Sequence, residues 1–291
     1  MYRDKSLYRE ILFFNNYTAL GAVAYVGRSQ GSTILINYFF GTFVNGAFAI
    51  AYQIESFVVM FVNNLGTASE PQITQSYSKG DIKRTFSLAE NISKYSIFLM
   101  LVLIFPINLE LDFLLTLWLE NIPSGTLLLC RYIFVSLFIR AMAAGISPII
   151  QASGKVKWFQ ISESFLMTMS LPVSFVLFTI GYPVATVILV YAAADLVNKI
   201  VQLGLLRMIL KGDVFHFLKV VYGPSLKVVL FLLLYTIIYP YLKIDSSVEK
   251  ILFFIIAIIY ALVIIYFLGL TKKEQLLIIQ KFRLHLKANL Y

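Results

Sequence analysis

Several charged side chains interrupt stretches that are otherwise apolar enough to sit in a membrane. Arg140 falls near the middle of the apolar run 126–151. A central arginine costs about 2.5–3.5 kcal/mol on insertion scales, so it is kept only where it is paired or faces water. Its planar guanidinium can hold a phosphate through two hydrogen bonds; it can equally pair with a buried carboxylate such as Glu55 or Asp195. Asp195 and Lys199 are spaced i,i+4 with the acid first, which favours an internal ion pair. Glu90 and Lys94 repeat that spacing near a helix end, where a lysine can snorkel to the interface. Arg28 precedes the turn-like Ser29-Gln30-Gly31. It reads either as an exposed loop arginine or as a contact for an anionic head group at the outer mouth of a cavity. Glu55 reads as a proton or cation site, or as the counter-ion of Arg140. Asn37 and Asn45 can bind sugar hydroxyls, or hydrogen-bond neighbouring helices.

Catalytic patterns are missing from the sequence. It has no phosphate-cradling glycine loop, no metal-ligand spacing and no nucleophile–base pair near a histidine. The single cysteine, Cys130, excludes a disulfide framework and a thiol metal site. His216 and His285 fall in loop or tail sequence and form no ligand cluster. The expectation is therefore not an enzyme, with no cofactor; coupling to Na⁺ or H⁺ stays open.

The elements that must position these side chains are membrane helices. The 291 residues are 59% hydrophobic and only 13% charged, with mean hydropathy +0.82. Soluble domains are about 45–50% apolar and about 25% charged. A spanning helix needs roughly 20 mostly apolar residues, and Ile251–Leu270 is an uninterrupted apolar run. The expected fold is all-α: a polytopic membrane helix bundle with about eight transmembrane helices, near 7–28, 33–63, 84–107, 126–151, 157–180, 184–210, 220–242 and 249–270. The first is the most polar, with Asn15, Asn16, Tyr17 and Thr18 at its centre. On the second, Asn37, Gly41, Asn45, Tyr52, Glu55, Ser56 and Asn63 fall within one ~100° arc at 100° per residue, which predicts a polar face turned toward protein or a water-filled cavity. Pro71, Gly223 and Pro224 are expected at or near loops, and Pro106, Pro148 and Pro172 within or near helix ends. The patch Ala141, Ala143, Ala144, Gly145 predicts close helix packing.

Sixteen lysines and arginines lie on the termini and alternate loops, including Arg3, Lys79, Lys155, Lys211 and Lys272. The intervening loops hold three, Arg28, Lys243 and Lys250, with acids such as Glu110 and Asp245. Such a bias places both termini in the cytoplasm and favours an even number of spans. It also accounts for the net charge of +9 without nucleic acid, because the basic residues are not gathered on a soluble module. The start, MYRDKSLYRE, is too polar for a signal peptide core. The organisation expected is a six-helix bundle over 1–210, two further transmembrane helices over 211–270, and a basic amphipathic tail over 271–291 that lies along the membrane surface or is a simple basic tail.

The run ILINYFFGTFVNGAFAIAYQI, followed by NNLGTASEPQITQSYSKGD, resembles Wzx-type polysaccharide flippases of the MATE/MOP superfamily. ENISKYSIFLMLVLIFPI, LDFLLTLWLENIP and IIQASGKVKWFQ follow in matching order. The resemblance implies two pseudo-symmetric helix bundles around a cavity with alternating access. It implies an undecaprenyl-diphosphate-linked oligosaccharide as substrate, carried across the bacterial inner membrane in polysaccharide biosynthesis. The often cationic cavities of the family suit Arg28, Arg140 and Lys199. Two departures stand out. NNYT replaces a Gly-Trp pair common in relatives, and the chain matches the family only from its seventh helix onward. The expectation is therefore the C-terminal lobe, a truncated form needing a missing N-terminal lobe or a second copy, embedded in membrane lipids. The alternatives are a cation-coupled multidrug antiporter of the same superfamily, whose cation would bind Glu55 and Asp195, and an inert membrane fragment.

Overall fold

A computed structural model describes residues 5–210, 213–242 and 246–288. Every regular element among them is helical: α1 (Lys5–Ser78), α2 (Ile82–Leu109), α3 (Leu111–Trp118), α4 (Thr126–Ala141), α5 (Ile146–Ala152), α6 (Lys157–Thr179), α7 (Thr186–Leu210), α8 (Val214–Ile238), α9 (Ser247–Ile264) and α10 (Lys272–Ala288). A 3₁₀ turn over Tyr239–Leu242 ends α8, and a π-turn over Ile265–Gly269 ends α9.

The 74 residues of α1 do not form one rod. Gly41 has φ 80 and ψ 175, a conformation open essentially to glycine alone. No neighbour stands within 4 Å of the place a Cβ would take there, so glycine is needed for its backbone and not for space. The chain doubles back at this residue. The hydroxyls of Tyr25 and Tyr52 meet at 3.3 Å, whereas a straight helix would hold residues that far apart in sequence roughly 40 Å from one another. The first leg ends at Phe40 and the second begins at Thr42; each is long enough to cross a bilayer.

Among the described residues six helices are long and apolar enough to cross a membrane, counting α1 once, and seven with the bent α4–α5 pair taken as one span. Separating the legs of α1 gives eight segments, the number expected, but the break between the first two falls at Gly41 rather than at 29–32, and the second runs on to Ser78 rather than ending near 63. The first two merge into one folded helix because no residue between 28 and 33 breaks it: Ser29-Gln30-Gly31 is helical. The fourth is broken rather than continuous, bending by 43° between α4 and α5. The break falls in the small-residue patch, ahead of Pro148. A Cβ on Gly145 would stand 2.1 Å from the Ala89 carbonyl oxygen, so α2 approaches the break directly. The exposed backbone groups there are satisfied by protein, as membrane depth demands: Gly145 N–H donates to Ser93 Oγ at 2.9 Å, and Tyr222 of α8 donates to the Met142 carbonyl at 2.9 Å. Pro71 lies inside α1, and Gly223-Pro224 inside α8, because α8 starts six residues earlier than its apolar run.

The interior is built by α1 packing on α6, α2, α4 and α5, with α7 closing against α4 and α6. The first leg of α1 runs alongside α6 in the same direction, from Gly21 against Gln160 through Gly31 against Leu171 to Phe40 against Phe178. The last two long helices, α8 and α9, pack chiefly on α2. They leave Leu226, Leu230, Ile237, Ile251, Ile255 and Ile259 exposed, as a lipid-facing surface requires. The chain is a multi-pass, all-α membrane helix bundle. Of the loop charges, Arg3, Lys211, Lys243 and Asp245 lie outside the described residues.

Candidate functional site

Six charged residues, Arg28, Glu55, Arg140, Glu163, Asp195 and Lys199, gather on the inner face of the doubled α1. Arg28, midway along the first leg, reaches Asp195 on α7 with both arms of its guanidinium, at 2.9 Å and 3.4 Å. Its plane lies 3.9 Å from the ring centre of Tyr191, one turn before Asp195. Ser32 donates to the Arg28 carbonyl and accepts from the Tyr191 hydroxyl. The side chains of Arg28 and Asp195 are only 12% and 10% exposed. Lining the same pocket, Arg140 donates to Glu55 of the second leg at 2.5 Å. Arg140 occupies the last turn of α4, immediately before the break, where the carbonyl end of the helix dipole favours a cation.

These groups line two adjoining chambers that share Arg140. The first holds both ion pairs with Tyr25, Tyr52 and Tyr191, and its free volume of about 40 Å³ admits a few waters only. The second, about 360 Å³, is walled by Asn63, Thr67 and Glu70 of α1, Ser147 of α5, Glu163 of α6, and Lys199 and Gln202 of α7. There Lys199 Nζ donates to Gln202 Oε1 at 3.3 Å and feels the carboxylates of Asp195 and Glu163. By formal charge, Arg28, Arg140 and Lys199 are matched by Glu55, Glu163 and Asp195, and Glu70 adds a fourth carboxylate at the wall of the second chamber.

The structure redistributes the partners expected from spacing. Asp195 does not pair with Lys199: the forked guanidinium of Arg28 offers it two hydrogen bonds, and Lys199 turns to Gln202. Arg28 is not at a helix end but in mid-leg. Arg140 and Glu55 do pair, one of the two readings left open by the sequence. Glu90 and Lys94 separate too. Glu90 lies 3.8 Å from His216 of α8. Lys94, 2% exposed, does not snorkel but meets Glu274 of α10 at 2.5 Å, and Tyr95 donates to the same carboxylate at 2.7 Å. Burial opposes the charge on Glu274, but hydrogen bonds from Lys94, Tyr95 and the Thr271 backbone and hydroxyl outweigh it and hold its pKa down at about 2. The start of the tail is thus fastened to α2.

Asn37 and Asn45 line neither chamber; Asn37 is exposed and Asn45 half-buried beside the fold at Gly41. The helical wheel joined Asn37 to Glu55 by assuming a continuous helix, and the fold at Gly41 resets that phase; Asn45 shares the second leg with Glu55 but lies nearer the fold than Phe48, where the chamber begins. Glu163, Tyr191 and Gln202 belong to the site although spacing did not single them out. Glu163 could have been found, since it is an acid inside the apolar run 157–180, the same signal as Glu55. Comparison of the chain with family models, with curated proteins and with solved structures finds no match.

Proposed function

We propose that the chain is a membrane transporter, or one lobe of one, that moves an undecaprenyl-diphosphate-linked oligosaccharide across a bacterial inner membrane, with both termini in the cytoplasm. One observation carries the transport reading: six ionisable side chains from four helices meet inside membrane-length segments, around a broken helix. Intramembrane charges at that density mark substrate or ion pathways, and discontinuous helices at the midplane are where secondary transporters hold their ligands. The two ion pairs join each leg of α1 to a different helix, Arg28–Asp195 to α7 and Glu55–Arg140 to α4. Exchange of these pairs would let the legs move against α4 and α7 as access alternates. The larger chamber, with Lys199, Asn63 and Gln202, is the place for a polar head group. The lipid-linked substrate rests on the resemblance of the Ile34–Asp81 run to flippases.

The test is to co-express the chain with a flippase N-terminal lobe in a flippase-null strain and follow polysaccharide export. Rescue that is lost in Arg140→Ala is expected; absence of rescue with well-expressed protein across several glycan types removes the proposal. The charge balance of the cluster favours a second reading, a cation-coupled multidrug antiporter, because both arginines are already neutralised. Toxic-dye efflux abolished by Glu55→Gln would select that reading.

A further inference from the structure

We propose that an anionic glycerophospholipid binds in the groove between the start of α1 and the α5–α6 turn, its phosphate on Lys155 and Lys157. The inference rests on the membrane fold and not on the transport reading.

The groove follows from how the first leg meets α6. Small residues let the two helices touch: a Cβ on Gly21 would stand 2.3 Å from Gln160 Oε1, and one on Gly31 would stand 2.6 Å from Leu171 Cδ1. Nearer the N-terminus the leg carries Phe13, Phe14 and Tyr17 instead, and it faces the turn Ser153–Lys157 rather than α6. The two walls stay apart and border an open groove of about 690 Å³, within the 300–1,000 Å³ typical of small-molecule sites.

The walls differ in chemistry. One is aromatic: Phe13 is 49% exposed, a large apolar surface left for a lipid tail. The other is a tight turn, with Gly154 at φ 70, that presents two exposed lysines. Neither ammonium has a carboxylate within ion-pair distance among the described residues. Trp158 is 63% exposed, with the Lys157 ammonium 5.4 Å from its ring centre. An exposed Trp flanked by lysine is the signature of the head-group level. Positive charge at that depth beside an apolar slot matches a phosphate joined to acyl chains. A zwitterionic lipid brings a cation with its phosphate, so it offsets the two ammoniums less than an anionic one does. A bound lipid would bridge the first leg to the α5–α6 turn where direct packing stops.

The experiment uses the full chain purified in a neutral detergent, with dioleoyl phosphatidylglycerol, dioleoyl phosphatidylcholine or inorganic phosphate added at equal concentration. Bound lipid is counted by native mass spectrometry, and unfolding is followed by circular dichroism. Retention of phosphatidylglycerol over phosphatidylcholine is expected, with a higher melting temperature and no effect of inorganic phosphate. The double variant Lys155→Gln/Lys157→Gln, with unchanged helicity, should bind phosphatidylglycerol about thirty-fold more weakly. Lys272→Gln/Lys273→Gln, which removes as much charge from α10, should keep the preference. Equal retention of both lipids, a preference that survives the first double variant, an equal loss in the second, or a shift reproduced by inorganic phosphate would each overturn the proposal.

Discussion

A guanidinium inside a membrane-length helix persists only where something answers its charge, and the two arginines here are answered differently. Arg28 is nearly enclosed, with two hydrogen bonds to Asp195 and an aromatic ring against its face. Arg140 keeps 31% of its side chain exposed and borders both chambers. Removing one partner of a buried pair leaves an uncompensated charge, at a cost of about 3–5 kcal/mol, while replacing both by apolar groups is often neutral. Asp195→Ala should therefore lower stability by about 3–5 kcal/mol, and Arg28→Met/Asp195→Leu should recover most of it. Thermal unfolding in detergent measures both. A double variant as unstable as the two single losses combined would mean that the pair is not coupled. The existence of these charges was legible in the sequence, because an acid or arginine in an apolar run declares itself. Their pairing was not. Local spacing offered Lys199 to Asp195, yet a residue 167 positions away won the contact, since a forked donor satisfies a carboxylate better than a single ammonium.

At the scale of elements, the number of spans was readable from apolar run length, and their joints were not. A glycine in a helical pattern has no signature that separates an ordinary helical residue from a reversal. Gly41 and Gly46 lie five residues apart in one apolar run, and neither has a neighbour where its Cβ would go. Only Gly41 takes positive φ. The break between α4 and α5 was equally hidden: its small residues announced close packing, which occurs, but not the bend that comes with it. The two glycines give a controlled comparison. Gly41→Ala must force an alanine into a glycine-only conformation, costing about 1–3 kcal/mol. Gly46→Ala replaces a glycine in regular helix and should gain about 0.5–1 kcal/mol. Opposite shifts in melting temperature are the expected result. Equal shifts would show that α1 does not reverse at Gly41.

For the whole molecule, the reversal at Gly41 decides topology. With α1 doubled, its start at Lys5 and the loop after Ser78 share one side of the membrane; with α1 a single span, they lie on opposite sides. The contact between Tyr25 and Tyr52 requires the first arrangement, and the loop charges favour it independently, since Arg9 and Lys79 both belong to the basic set. Two further crossings, α2 and the α4–α5 pair, then return the turn at Lys155 to that same side and leave Glu120, between α3 and α4, on the other. Single-cysteine labelling can read this directly, because the native Cys130 is fully buried and contributes little background. Cysteines placed at Lys5, Lys79 and Lys155 should react with a membrane-impermeant maleimide only after the cells are opened. Glu120→Cys should react in intact cells. Labelling at Lys5 from the side opposite to Lys79 would remove the folded α1. It would also separate Arg28 from Glu55, and with them the charge cluster on which the transport reading depends.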